Sequence, residues 1–365
     1  MMLRRLNRYL GRTVLFATLG TLCILVFLHY LSILVSELRN LDDAYTLSTV
    51  FVHSLWLIPG AIYENLTFAA FLGCVIGLGQ HANANELVIV RAAGVSGRRV
   101  VWIAMRPILA LTFLGVLWGE YVTPLTTQLA EGVKASATAD NRALDSDVGV
   151  WYLDNNAFQF FSGLNRKLYG VTTYQFAEDR KRLLSSSFAK EATYYADGWR
   201  LEEGRDSRFV FPESTSPELN DALPYIEQQP FTSRHWETQL TPTLLNDLVL
   251  PVEALSIRSL YRYARDRDAQ GLESNELWLT FWQKISQPLV VVGLALVGIS
   301  FIFGSLREST MGFRLTIAVT VGIVFTVLQD FAAASSLVFG FSALIAVAIP
   351  IMFSASIGLW MLRSR

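Results

Sequence analysis

The sequence predicts an α-helical membrane protein with six transmembrane helices and one inserted all-β, jelly-roll-like domain. Three observations predict it. Six apolar runs are long enough to cross about 30 Å of hydrocarbon, which takes about 20 residues. Of the 365 residues, 52% are hydrophobic and 17% charged, against about 25% charged in ordinary soluble domains. Residues 123–255 instead carry short, β-patterned runs bounded by turn residues.

The first run is Thr13–Val35, preceded by Arg4, Arg5, Arg8 and Arg12. It is too long for a cleavable signal peptide, and no small-x-small site follows it. The loop "SELRNLDDAYTLST" comes next, with Arg39 set against Glu37, Asp42 and Asp43. The second run, Leu55–Gly79, is the weakest because it holds Pro59, Glu64 and Asn65. Its Gly73-x-x-x-Gly77, followed by Gly79, makes a close-packing face. That face suits either another span of this chain or a partner subunit.

Residues 80–100, "QHANANELVIVRAAGVSGRRV", are too structured for a plain loop. Asn83 is placed to cap a helix, with Glu86 at the capping-box position. Leu87, Val90, Arg91 and Gly94 fall at i, i+3, i+4 and i+7. Gly94 suits the left-handed stop after a helix end. A short helix at about 83–94 is therefore expected, with Glu86 favoured near its start by the helix dipole. Its apolar face needs a home: the bilayer surface, the chain's own spans, or a groove on a partner.

The third run is Val101–Val122. In the insert, "VGVWYLD", "AFQFF", "LYGVTTYQF", "FAKEATYYA", "WRLEEG" and "FTSRHWETQL" read as strands, with "DG" as a tight turn. "LSIRSLYRYARDRDAQG" then reads as an amphipathic helix with Leu255, Leu260 and Tyr263 on one side. The runs Ile285–Gly304, Phe313–Phe331 and Phe339–Leu362 complete the six. The expected organisation is thus 1–122 (three spans and the short helix), 123–255 (the β domain) and 256–365 (connecting helix and three spans).

Arginine placement sets the orientation. Besides the N-terminal group, Arg91, Arg98, Arg99, Arg307, Arg314, Arg363 and Arg365 all fall on one side of six spans, which should be cytoplasmic. Both termini then lie in the cytoplasm, and the β domain lies outside. The net charge of −1 says little, because the charges are segregated. Lysine supplies only five of the 30 basic residues.

Several chemistries have no signature. There is no G-x-x-x-x-G-K-[ST] phosphate loop, G-x-S-x-G elbow or Cys/His metal spacing. Cys23 and Cys74 fall in apolar runs and read as buried thiols. Glu64, Glu120 and Asp330 are widely separated and near span ends, so they read as structural rather than as a proton path.

"NELVIVRAAGVS", "GEYVTP" after the third run, "WQKISQPL" opening the fourth, and "SFIFGSLRESTMGFR" between the fourth and fifth appear in this order. With the six runs and the β insert, they resemble the LptF/LptG (YjgP/YjgQ) family of lipopolysaccharide export permeases over essentially the whole chain, its LptG branch in particular. The resemblance implies a Gram-negative inner-membrane permease subunit. Its implied partners are an LptF-type sister permease, an LptB-type ATPase dimer and an LptC-type single-span protein; lipopolysaccharide is its cargo and nucleic acid is not a partner. The permease would bind no cofactor; ATP and magnesium would sit on the ATPase. The complex would draw lipopolysaccharide from the membrane and pass it to a periplasmic bridge.

Under the same resemblance the helix at about 83–94 becomes the coupling helix, with Glu86, Leu87, Val90 and Arg91 as its ATPase-docking residues. An anionic, acylated substrate needs an apolar wall with cations at its rim. The candidates are Arg39, Lys134 and Lys284, of which Arg39 and Lys134 align with basic family positions. Each also reads as an ordinary snorkelling residue. Ile33 and Gly60 stand where relatives align lysines, so the family's basic ring is incomplete here. The resemblance also implies that the first and fifth spans face the sister subunit. Two other readings stay open: a membrane-anchored periplasmic scaffold or receptor without transport activity, and an ion-coupled carrier, which would want a polar cluster among the spans.

Overall fold

The computed structural model describes residues 2–41, 45–137, 149–154, 156–164, 166–177, 182–210, 225–269, 271–303 and 309–363. Asp42, Asp43, Gly304, Arg307, Arg365 and the turn residues 178–181 lie outside them. Helices run Met2–Leu38 (α1), Leu47–Asn83 (α2), Glu86–Ala92 (α3), Gly97–Leu117 (α4), Thr123–Ala137 (α5), Pro242–Val249 (α6), Ile257–Ala269 (α7), Asn275–Phe303 (α8), Met311–Phe339 (α9) and Ala343–Arg363 (α10). Strands run Val150–Asp154 (β1), Ala157–Leu164 (β2), Lys167–Phe176 (β3), Leu183–Tyr195 (β4), Gly198–Val210 (β5) and Tyr225–Trp236 (β6). The chain divides into two compact units: residues 1–36, 56–127 and 251–365, and residues 37–55 and 128–250.

The first five predicted apolar runs fall within helical stretches over their described residues. Five helical stretches among the described residues are long and apolar enough to cross a membrane. The sixth run lies in α10, whose apolar stretch Ala343–Gly358 is shorter. That run was expected to open at Phe339, but α9 continues through Phe339 and stops at Gly340, held left-handed at φ 69°. Leu10 and Val14 of α1, Phe71 and Leu78 of α2, Ile108 of α4, Val291 of α8 and Ala318 of α9 belong to one buried cluster. Burial is uneven. Of the most apolar window of each helix, 67% is buried for α2 and 61% for α8, but only 11% for α1 and 22% for α9. Cys74 is buried as expected, whereas Cys23 is exposed on α1, where a small apolar thiol suits a lipid-facing surface.

The glycine face of α2 is used inside the chain. A methyl group on Gly77 would come within 2.8 Å of the Val14 Cα, and one on Gly73 within 2.7 Å of the Thr18 Cβ. Only glycine lets α1 and α2 approach this closely.

The start of the 123–255 segment is helical, not β. The helix that opens at Gly97 runs through a π turn, Trp118–Val122, into α5. Pro124 has no N–H to give the fourth residue back and its ring crowds that carbonyl. The wider π turn immediately before it absorbs the mismatch.

In the second unit, the strands are antiparallel and sequential, in the order β1-β2-β3-β4-β5-β6. The β insert is present as predicted. The described strands form one meander rather than the two-layer crossing of a jelly roll, because each strand pairs with its neighbour in sequence. Tyr195 pairs with Gly198 across a short turn, and Gly198 takes φ 120°. One face of the sheet buries Phe161, Leu168, Val171, Trp199 and Leu201 against α6, which contributes Leu245. The Trp199 Nε1 donates to the Leu240 carbonyl at 2.6 Å. In the first unit, α7 forms as predicted with Leu260 buried, but Leu255 precedes it.

Candidate functional sites

The short helix α3 spans seven residues, fewer than expected. Helix α2 stays helical through Asn83, so Asn83 lacks the extended backbone of a cap and the capping box is not formed. Asn85 takes the N-cap position instead, left-handed at φ 58°, without a side-chain cap bond. Asparagine tolerates that conformation better than most residues. Asn83 accepts a hydrogen bond from Arg314 Nη1 at 2.8 Å. The same nitrogen lies 3.2 Å from the Gly79 carbonyl. Arg314 is only 1% exposed, so it is a buried tie from α9 to the last turn of α2 rather than a flanking surface charge.

Glu86 is held from two sides. The Tyr9 hydroxyl donates to one oxygen at 3.2 Å, and His81 Nδ1 lies 2.7 Å from the other. The Tyr9 and His81 rings meet edge-on, with centroids 4.9 Å apart. The Glu86 side chain is still 37% exposed. Leu87 is buried and Val90 packs against the chain's own core, while Arg91 is exposed. The apolar residues facing out are Val88 and Ile89, at 44% and 67% exposure. At the far end, Gly94 at φ 83° donates to the Arg91 carbonyl, and Val95 donates to Val90. That is the paired-bond stop expected of a glycine after a helix end.

Two of the three acids that read as scattered meet in space: Glu64 and Asp330 line one cavity of about 330 Å³ together with Glu253, Tyr63, Lys284 and Gln287. Their separation in sequence concealed this, since α2, α8 and α9 must pack before the residues meet. Lys284 is 6% exposed and donates to the Leu255 carbonyl at 2.5 Å. Its ammonium also lies 5.4 Å from the Tyr63 ring centre. It is a buried cation among carboxylates, not an open rim residue. Glu120 has a different task. From the π turn it accepts from the Ile257 N–H at 2.7 Å, satisfying the first orphan donor of α7.

The second unit holds a cluster the sequence did not suggest. Lys134 Nζ lies 3.0 Å from both oxygens of Glu37 and 5.7 Å from the Tyr45 ring centre. The Tyr45 hydroxyl donates to Glu37 at 3.2 Å. His53, 1% exposed, lies 3.9 Å from Glu37 and 3.8 Å from Glu131. Arg39, two residues beyond Glu37, is exposed. Of the candidate rim cations, Arg39 is open, Lys134 is paired and Lys284 is buried. The only sequence signal for the cluster was the basic-against-acidic pattern of the loop after the first run.

Residues 8–364 match the family described as "Lipopolysaccharide export system permease LptF/LptG". The chain is 31% identical over 365 residues to the "Lipopolysaccharide export system permease protein LptG" of Escherichia coli (strain K12), covering 99% of this chain and 98% of that protein. It is 32% identical over 370 residues to the protein of the same description from Haemophilus influenzae, covering 100% of this chain and 99% of the relative.

Proposed function

As the chain belongs to the LptF/LptG family of lipopolysaccharide export permeases, we propose that it is the LptG-type subunit of an ATP-driven ABC transporter. It draws lipopolysaccharide out of the bacterial inner membrane and passes it to a periplasmic bridge. Both termini and α3 lie in the cytoplasm, and the six-stranded sheet lies in the periplasm. An LptF-type permease completes the path, and an LptC-type single-span protein joins it. The sequence has no phosphate loop, so the work comes from an LptB-type ATPase dimer that holds ATP and magnesium.

One observation supports this most directly: α3 is fixed to the helical core by Leu87 and Val90 while showing Val88, Ile89, Arg91 and one side of Glu86 outward. A helix with an anchored face and an offered face suits a groove on another protein. Burying Val88 and Ile89 there contributes about 1.5–3 kcal/mol each at most. Within this reading Leu87 and Val90 set the angle of the helix, while Glu86 and Arg91 meet the ATPase. A membrane-anchored scaffold has no use for that outward face.

For the substrate, Arg39 carries the head-group contact first, since a phosphate binds best to cations it can reach from solvent, and Lys134 joins it when its pair with Glu37 opens. Lys284 takes second place, because an anion entering its cavity would meet Glu64, Glu253 and Asp330 as well. Co-purification tests the whole reading. The detergent-solubilised chain is expected to bring a nucleotide-binding subunit with it, and repeated purification without one would count against the transporter assignment.

A further inference from the structure

Helix α3 continues covalently into α2 on one side and α4 on the other. It has no such continuity with α1 or α9. Yet α1 reaches α3 itself through a polar contact, and α9 reaches the last turn of α2 that leads into it. Tyr9 of α1 donates to Glu86, the first residue of α3, at 3.2 Å. Arg314 of α9 donates to Asn83 at 2.8 Å, at the base of the left-handed link that leads into α3. Of the five membrane-length stretches, these two have the smallest share of their most apolar window buried, 11% and 22%. They are the helices least restrained by the core, and each has a directional bond at α3 or its base.

We propose that Tyr9 and Arg314 are positioning residues of a two-armed linkage that carries displacement of α3 to α1 and α9. This rests on the reading that α3 is the segment the ATPase moves. Motion of α3 alone would pass through the chain to α2 and α4, the former deeply packed. The two arms add the lightly packed helices to the moving body. A hydrogen bond suits this task because it fixes direction as well as distance. His81 steadies the first arm, since it contacts both the Tyr9 ring and the Glu86 carboxylate. Burial of the Arg314 guanidinium steadies the second, because breaking its bonds would leave a charge without compensation.

The test uses the assembled complex in lipid vesicles containing lipopolysaccharide. Tyr9→Phe removes one hydroxyl and keeps the ring contact with His81. Asn83→Ala removes the exposed acceptor and leaves Arg314 on the Gly79 carbonyl, so neither variant empties the core. Each is expected to assemble and hydrolyse ATP near the wild-type rate while lipopolysaccharide moved per ATP falls about tenfold, the scale of one hydrogen bond to a charged group. Wild-type transport per ATP in both variants would overturn the linkage. So would a proportional fall of ATPase and transport with lower thermal stability, which marks a merely structural role. As a second measurement, spin labels at Ala93→Cys paired with Phe16→Cys or Phe313→Cys, in a Cys23→Ser background, read the α3–α1 and α3–α9 distances. These should hold constant between nucleotide-free and ATP-bound wild-type-like complexes, and a change of several ångströms would overturn the proposal. If the unmodified complex moves no lipopolysaccharide with ATP, the failure belongs to the transporter reading itself.

Discussion

Two glutamates in this chain are built from the same local parts and end in different states. Glu86, in the helical unit, accepts from a tyrosine hydroxyl at 3.2 Å and has a histidine beside it. Glu37, in the sheet-bearing unit, accepts from a tyrosine hydroxyl at 3.2 Å and also has a histidine beside it. The difference is a lysine. Lys134 meets both oxygens of Glu37, and the glutamate side chain is only 13% exposed. Among the described residues no lysine or arginine pairs with Glu86, which stays 37% exposed. Glu37 is consumed inside the fold, whereas Glu86 is oriented by the fold and left able to meet a further cation. The presence of a tyrosine and a histidine beside an acid therefore says little about its role; a cation and the remaining exposure decide it.

That contrast can be broken experimentally. The largest expected effect is on Glu86→Ala, which should lower lipopolysaccharide moved per ATP by about tenfold or more while leaving the fold intact. Transport and ATPase assays on the reconstituted complex check it, and unchanged transport with unchanged assembly would remove Glu86 from the coupling machinery. Next is Glu37→Ala, which strands a partly buried ammonium and should cost about 2 kcal/mol of stability, with part of the loss recovered in the double variant with Lys134→Ala. Denaturation in detergent reads both. A smaller effect separates the tyrosines: Tyr45→Phe should cost about 1 kcal/mol because its hydroxyl serves a partly buried carboxylate. Tyr9→Phe should leave stability nearly unchanged, since Tyr9 is largely exposed. The smallest is a difference in yield. A photo-crosslinker at Arg39 should capture more lipopolysaccharide than one at Lys134, because Glu37 already occupies the lysine. Equal yields would mean that the ion pair opens readily.

Local physics made some of this legible and hid the rest. The apolar runs located the helices because the length needed to cross a bilayer is a property of contiguous sequence. Asp197-Gly198 and Gly94 located turns and stops because a positive φ favours glycine wherever it sits. Asn83 was misplaced because both it and Asn85 can open a helix, and only the packing of Arg314 on Asn83 decides between them. The third run was expected to end at Val122, whereas the helix passes Pro124 because the wider π turn ahead of it leaves room for the ring. Glu37 and Lys134 are 97 residues apart, and Glu64 meets Lys284 and Asp330 only after three helices pack. Pairings of that kind depend on tertiary distance, which no periodicity or capping rule encodes. Arg314 shows the same limit: its position at the start of the fifth apolar run reads as a topology signal, and its burial does not.

The glycine seam of α2 has a mechanical consequence. At Gly77 the neighbour is the Val14 backbone itself, and at Gly73 it is the Thr18 backbone and Cβ. Where main chains lie against each other without long side chains between them, few rotamers have to change when one slides past the other. Such a seam favours sliding over separation, and one added methyl group at either glycine would push α1 away from α2.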